Sequence, residues 1–354
     1  MKTWMIYGAN GYTGKLTAAE AVRRGLKPVL AGRDEAAVKQ LADELNLPWR
    51  VFRLDQPGDV EDGLAGMNLV LHCAGPFSAT SQPMLDACLR MGVHYLDITG
   101  EIGVFQAAWR RSGEAARQDV VVCPGVGFDV VPTDCLAAML IEKLPSATSL
   151  AMAFEPGGGM SRGTAKTSVE GLGKGGCVRR GGELTPVPLA WKTRKIPFRH
   201  AERVAVTIPW GDVFTAWVST GVPDIEVYLS MPPGTIRKLR RMRWLRPLLG
   251  TGPVQRFLKA RIDARAHGPN RDRRSSTDTQ LWAEVVSGDG RKVSATMTTP
   301  NGYDLTVTAS LGIVEHLLEA DVEGGYYTPS LLVGAEFVTS LPGVSMQWND
   351  SEPG

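Results

Sequence analysis

Trp4-Met5-Ile6-Tyr7-Gly8-Ala9-Asn10-Gly11-Tyr12-Thr13-Gly14 is the stretch whose reading decides the fold of this chain. Residues 1–7 read as a short, mostly apolar strand, the glycine-spaced run 8–14 follows at once, and Lys15 to Arg24 has helical spacing and composition. A strand that ends in such a turn and opens a helix is suited to holding a pyrophosphate. Glycines let the backbone turn tightly and approach the ligand, and the first helical turn offers N–H groups and the positive end of the dipole. Gly8, Asn10, Gly11, Tyr12, Thr13 and Gly14 are therefore candidate cofactor residues. The strand begins at residue 3 and leaves no room for a signal or transit sequence ahead of it, so the expected compartment is the cytoplasm.

The next strand, Pro28–Gly32, comes about twenty residues on, where the ribose contact belongs in such folds. A carboxylate at its end would accept hydrogen bonds from an unphosphorylated ribose and would repel a 2′-phosphate. The strand ends instead in Arg33-Asp34. Arg33 can grip a phosphate through its planar fork of donors, while Asp34 opens Glu35–Leu45 and is placed to cap a helix. NADP(H) is thus expected over NAD(H). The competing reading of Arg33 is a solvated surface arginine.

At 354 residues the chain is long for one domain and comfortable for two. Hydrophobic residues make up 43%, enough for a sizeable core. A net charge of +2 excludes little, and no nucleic-acid recognition motif accompanies it. The five cysteines, Cys73, Cys88, Cys123, Cys135 and Cys177, show no metal-type pairing, so no metal is expected, and an odd count suits reduced thiols. No apolar run is long enough to cross a bilayer.

Strands and helices alternate to about residue 125, the pattern of a doubly wound parallel sheet. Helix Glu35–Leu45 is followed by strand Trp49–Leu54, which ends at Asp55, and by strand Asn68–Ala74, which ends at Gly75-Pro76-Phe77. Helix Gln82–Met91, strand Val93–Asp97, helix Val104–Arg117 and strand Val120–Pro124 follow. Ligands lie outside the carboxyl ends of the strands in such sheets. Residues 146–320 are richer in Gly, Trp and β-type runs: Ser149–Phe154, Arg203–Pro209, Ile225–Met231, Thr279–Val286, Lys292–Thr298 and Tyr303–Thr308. The turn signals Asp289-Gly290 and Asn301-Gly302 point to an antiparallel or mixed sheet. The expected division is a nucleotide domain, 1–128, completed by 322–354, and an inserted α+β domain, 129–321, for substrate and dimerisation. Pro329–Leu341 reads as the returning helix.

These motifs, in this order, resemble a known family. Gly8–Gly14, Ala31-Gly32-Arg33, Ala74–Phe77, Tyr95–Glu101 and Gly127–Asp134 are similar to the saccharopine-dehydrogenase-like oxidoreductases, including the bacterial trans-acting enoyl reductases. Gly268-Pro269 with Arg274, Asp289-Gly290-Arg291, Gly302-Tyr303 and Thr328-Pro329 extend the likeness over most of the chain. The resemblance implies a Rossmann-like nucleotide domain closed by the C-terminal helix, an inserted substrate domain, and NADP-type cofactors. The basic groups with which saccharopine reductases grip a dicarboxylic amino acid have no match here.

Ala74, Gly75, Pro76 and Phe77 stand where the fourth-strand loop meets a nicotinamide ribose, and Asp55 is counted with them as a cofactor residue. Thr99 and Glu101 are candidates for holding the carboxamide and ordering the loop, with helix capping by Asp97 or Thr99 as the alternative. Gly127 suggests a positive φ or a close approach, Asp129 a cap or orienting group, and Asp134 a first-turn acid. Gly157–Thr164 reads either as a linker or as a segment closing over the nicotinamide, with Ser161 or Thr164 polarising a carbonyl. Tyr7 and Tyr12 read as packing, His72 as a core residue, and His94 has no nameable partner. The helical stretch Arg237–Arg246 carries one cationic and one apolar face. It is either a docked surface helix or a contact for a membrane surface, an acidic carrier protein or a coenzyme A phosphate.

The function expected from the resemblance is reduction of the C=C bond of a small-molecule or carrier-bound acyl substrate with NADPH, and a homodimer is one assembly open to it. C=N reduction or amine oxidation, and an NADP(H)-binding interaction protein without turnover, are the alternatives.

Overall fold

The computed structural model describes residues 2–157, 165, 169, 171, 173, 175–245, 249–265 and 268–349. β1 (Trp4–Tyr7) is buried at every position and gives way through the glycine turn to α1 (Tyr12–Arg23). The alternation continues through β2 (Val29–Gly32), α2 (Glu35–Leu45), β3 (Trp49–Val51), α3 (Pro57–Leu64), β4 (Leu69–His72), α4 (Phe77–Met91), β5 (His94–Asp97), α5 (Ile102–Trp109), α6 (Ser112–Arg117) and β6 (Val121–Cys123). β1, β4 and β6 are buried throughout, as strands covered on both faces require, and the edge strand β3 is half-buried and ends at the exposed Val51.

Two helices differ from expectation. α4 begins at Phe77, ahead of the expected Gln82, because the carboxylate of Glu101 caps its first turn from another loop. The expected helix Val104–Arg117 is two, broken at Arg110-Arg111, where the Arg111 side chain pairs with Asp86 and Glu114.

The chain continues through α7 (Val131–Lys143), β7 (Ala147–Glu155), β8 (Gly176–Arg180), β9 (Glu183–Val187), β10 (Thr193–Pro197), β11 (Glu202–Thr207), α8 (Asp212–Thr220), β12 (Asp224–Ser230) and α9 (Pro233–Met242). A 3₁₀ turn (Arg243–Leu245), α10 (Gly252–Arg265), α11 (Arg271–Ser275), β13 (Asp278–Ser287) and β14 (Lys292–Pro300) come next. α12 (Gly302–Glu319), β15 (Gly325–Tyr326), α13 (Pro329–Val333), α14 (Phe337–Ser340) and β16 (Ser345–Asn349) complete it. The run Tyr303–Thr308, expected as a strand, opens α12 instead. That helix is buried along most of its length, so its β-branched residues record burial and not extension.

The first sheet has the order β15-β6-β5-β4-β1-β2-β3, parallel at every pairing. This is a Rossmann-like doubly wound sheet with a further strand beyond β6, and its order reverses between β1 and β4. Its core gathers Met5, Tyr7, Val70, Met84, Leu89 and Tyr95 with their neighbours. The second sheet is mixed: β12 and β7 are parallel and the other pairings antiparallel, in the order β10-β11-β12-β7-β13-β14-β16, with β8 on β12 and β9 on β8. Trp282, Tyr228, Phe198 and Ile196 anchor one core against it.

The chain divides into one unit of residues 1–131 with 303–334 and another of 132–302 with 335–354. This differs from the expected boundaries at both ends of the insert. α12 belongs to the first unit, where Arg24 pairs with Glu315 at 2.9 Å and the Lys2 ammonium reaches Leu317 O and Ala320 O. β16 belongs to the second, since it pairs with β14 from Ser294 to Thr298. Among the described residues no helix is long and apolar enough to cross a membrane.

Candidate functional site

The glycine turn sits at the carboxyl end of β1, at the point where the strand order reverses. The N–H groups of Gly8 and Ala9 both donate to Ala31 O (2.8 and 3.0 Å), and Gly11 N donates to Gly8 O at 3.0 Å. Gly8 has φ +82°, and a Cβ there would lie 2.8 Å from Ala74 Cβ, so the turn is packed directly against the β4 loop. A Cβ on Gly14 would meet Gly8 O at 2.3 Å, which brings the helix down onto the turn. The first turn of α1 contains no acidic residue, so its dipole faces an incoming anion without opposition. Asn10 leans toward Gly32, Tyr12 meets Tyr303 edge-on at 4.9 Å between ring centres, and Thr13 O accepts the Thr17 hydroxyl at 3.0 Å. These residues come together as the sequence places them. The arrangement is a cradle that a dinucleotide pyrophosphate fits.

At the end of β2 the two charges separate. The Asp34 carboxylate accepts the Ala37 N–H at 3.1 Å as the cap of α2. Arg33 is exposed and has no ion-pair partner among the described residues. Asp55 is held by Arg53 through two hydrogen bonds (3.0 and 2.8 Å), and that guanidinium keeps its carboxyl below the usual range. Asp55 is therefore engaged, and Arg53 stands out as a second cation on the edge that presents Arg33. Sequence reading passed over Arg53; its place just after β3 was the available signal. Tyr7 lies beneath, its hydroxyl donating to Phe52 O at 3.1 Å, and burial pushes it up to about 12.

The loop after β4 carries Cys73, Ala74, Gly75, Pro76 and Phe77, with a cis Gly75–Pro76 peptide. The Thr80 hydroxyl donates to Ala74 O at 2.6 Å and stands 3.1 Å from His72 Nε2, and burial depresses His72 to about 3. Glu101 ties the loop from the far side: its two oxygens accept Phe77 N (3.1 Å) and Ser78 N (3.0 Å). Thr99 Oγ1 accepts Glu101 N at 3.1 Å. Thr99 and Glu101 therefore act on the loops and hold them in place. The other two weak catalytic candidates, Ser161 and Thr164, fall outside the described residues.

Behind this loop two carboxyls lie beyond the ends of β5 and β6, Asp97 buried and Asp129 half-buried. Asp97 accepts from the Tyr95 hydroxyl (2.6 Å), Thr99 N (2.9 Å) and Gly125 N (2.9 Å), and so binds β5 to the β6 loop. Burial raises it to about 6 against the pull of those hydrogen bonds. Asp129 is raised to about 7 by burial and then by the charge of Glu101, and its Oδ2 would stand 2.7 Å from a Cβ on Gly100. Sequence reading gave Asp129 a capping or orienting role and missed that it titrates near neutrality, because no local pattern encodes burial. Positive φ falls on Gly125 (+80°), while Gly127 provides close approach to Thr306. Asp134 is in the first turn of α7 and accepts the Ser219 hydroxyl at 2.6 Å. His94 accepts Val121 N at 3.0 Å, a partner from another strand.

The second unit has a cleft of about 330 Å³ lined by Glu155, Gly157, His200, Arg203, Asp278 and Gln280 among others. Arg203 is paired with Glu155 at 3.1 Å, and His200 Nε2 lies 3.9 Å from an Asp278 carboxylate oxygen. Gly157 O is fixed by Asn301 Nδ2 at 3.0 Å.

Residues 4–123 match the family model described as the saccharopine dehydrogenase NADP binding domain. A saccharopine dehydrogenase-like oxidoreductase of Bos taurus is 24% identical over 214 residues, 52% of this chain and 50% of that protein. A trans-acting enoyl reductase of Mycobacterium ulcerans strain Agy99 is 27% identical over 141 residues, 37% of this chain and 33% of that protein. The chain thus matches about half or less of the length of these relatives. In structure it is similar to the apo saccharopine dehydrogenase (L-Glu forming) of Saccharomyces cerevisiae, with a TM-score of 0.67, 9% identity and coverage of 99% of this chain and 100% of that one. The fold is shared, and the unit that carries the glycine turn is similar to the NADP binding domain of saccharopine dehydrogenase.

Proposed function

We propose that this chain is an NADPH-dependent reductase acting on the C=C bond of an α,β-unsaturated acyl thioester, free or carrier-bound. The observation that carries the cofactor half of this reading is the fate of two adjacent residues. Asp34 turns away to cap α2, which leaves Arg33 exposed at the β2 end with no ion-pair partner among the described residues, and Asp55, which feels its charge, is held by Arg53. An arginine in that place is complementary to a 2′-phosphate. The Gly8–Gly14 turn and the first turn of α1 would hold the pyrophosphate, and Ala74–Phe77 the nicotinamide ribose.

When bound, NADPH supplies the hydride. The protein's part is to orient the reactants and to receive the developing negative charge. The acids on this edge suit that task because they face inward: Glu101 spends both oxygens on α4, and Asp97 accepts three hydrogen bonds. Those hydrogen bonds turn the two carboxylates toward the protein's own N–H and O–H groups. The surroundings of Asp129 push it up to about 7, which suits it to share a proton near neutrality, and it or solvent would return a proton to the α-carbon. The names of the mycobacterial relatives favour C=C over C=N chemistry.

Single-turnover oxidation of NADPH by the purified chain tests the reading, with trans-2-enoyl thioesters in one series and imine-forming mixtures of amino acids and carbonyl compounds in another. Oxidation with the thioesters alone is the expected result. Oxidation with the imines alone would overturn the C=C assignment, and NADPH binding without turnover in either series would overturn catalysis.

A further inference from the structure

α9 and the 3₁₀ turn after it have divided their surface unequally. Ile236 is buried with Ala190 and Val206, and Leu239 packs beside them, so the apolar stripe is already used inside the second unit. Arg240 Nε donates to Ala190 O at 3.2 Å and Arg243 Nη2 to the same oxygen at 2.6 Å, which fixes the helix to the β9–β10 loop. What remains outside is cationic. Arg237, Lys238 and Arg241 are exposed, and among the described residues none of them forms an ion pair. This contrasts with Arg180, Lys192, Arg194 and Arg203 of the same unit, each paired to a glutamate.

Trp244 follows Arg237 and Arg241 at i, i+4, i+7 spacing, and 89% of it is exposed. An exposed indole in line with unpaired guanidiniums combines an apolar ring with positive charge on one face. The combination suits the boundary of an anionic bilayer, where indole rings settle at headgroup depth and each cation gains from the surface potential. An amphipathic helix that inserts does so by its apolar stripe, and here that stripe is covered. The contact is therefore electrostatic and shallow.

We infer that the outer face of α9, with Arg237, Lys238, Arg241 and Trp244, is a docking surface for a membrane leaflet rich in anionic lipid. The inference is independent of the proposed chemistry, since it uses no residue of the nucleotide cradle.

The test is co-sedimentation of the full chain with vesicles of phosphatidylcholine alone and of phosphatidylcholine mixed with phosphatidylserine. Binding to the mixed vesicles only, released by added salt, is expected. The R237A/R241A double variant should partition less by about five-fold for each cation removed, and Trp244→Ser should also weaken binding. NADPH titration of each variant confirms that the nucleotide unit is intact, and the salt series on the unaltered chain tests the surface without any substitution. Equal binding to both vesicle types, binding unchanged in the double variant, or binding to neither vesicle would each overturn the inference. Capture by an acidic carrier protein in place of the mixed vesicles would do so as well.

Discussion

The two halves of the parallel sheet, on either side of the point where strand order reverses, handle polarity in opposite ways. On the β1-β2-β3 side the carboxyl edge consists of bare glycine backbone and exposed guanidinium groups, Arg33 free and Arg53 paired with Asp55. On the β4-β5-β6 side it consists of acids engaged with the protein: Asp97 buried, Asp129 half-buried, and Glu101 spent on the N-terminus of α4. One half keeps its polar groups for a ligand and the other uses them to hold its own loops. One side of the sheet is thus open to a polyanion, and the other is committed to its own loops.

The largest expected effect is on the joint between the halves. Gly8→Val places a β-branched side chain at φ +82° and a Cβ 2.8 Å from Ala74, backbone included. Left-handed strain and overpacking together should cost about 4 kcal/mol, read by urea denaturation, and NADPH binding should be lost. A variant that binds NADPH normally would separate the glycine turn from the β4 loop and break the comparison at its centre.

Asp129 tests the inward half through pH. Its folded value of about 7 lies above the 3.8 of a free carboxyl, so the folded state binds the extra proton between those limits. The stability this confers is complete below about pH 4 and is lost as pH rises through 7. Asp129→Asn removes that dependence. Relative to the parent, the variant should gain about 3 kcal/mol on going from pH 5 to pH 8. His72, depressed to about 3, works in the opposite sense below pH 6.5, and comparing variant with parent at each pH cancels it. A pH-independent difference in thermal unfolding would show that Asp129 is ionised throughout.

These two halves were not equally legible. Glycine spacing, the strand before it and the helix after it are local, and Gly8, Gly14, Arg33 and the cap at Asp34 stand where the sequence places them. The inward half depends on partners distant in the chain. Nothing near Glu101 announces that it caps α4, and nothing near Asp129 announces its burial. The second sheet repeats the lesson. β13 and β14, joined by Asp289-Gly290, read directly from sequence, whereas β8 and β9, with weak alternation, and β16, far from its partner β14, did not. The β-branched start of α12 misled for a related reason: a run of adjacent buried residues, Leu305–Val307, blurs helical periodicity.

Arg33→Ala probes the outward half alone. Removal of a charge-assisted pair with a 2′-phosphate should weaken NADPH binding by about 2 kcal/mol, roughly 30-fold, and leave NADH binding nearly unchanged. Isothermal titration with both cofactors measures the difference. Equal losses would return Arg33 to the solvated surface and transfer cofactor choice to Arg53.

The smallest effect should be the most diagnostic, because it couples two inward acids. Glu101→Gln keeps an acceptor for one N–H of the α4 terminus and removes the negative charge beside its dipole, at a cost of about 1 kcal/mol. The same charge is one of the two causes that raise Asp129, after burial. Its removal should therefore move the pH midpoint of the Asp129-dependent stability downward, while the burial contribution persists. A lowered midpoint with NADPH affinity largely kept would show that the two acids form one electrostatic unit behind the β4 loop. An unchanged midpoint would mean that Glu101 serves the α4 cap alone and that burial by itself sets the proton on Asp129.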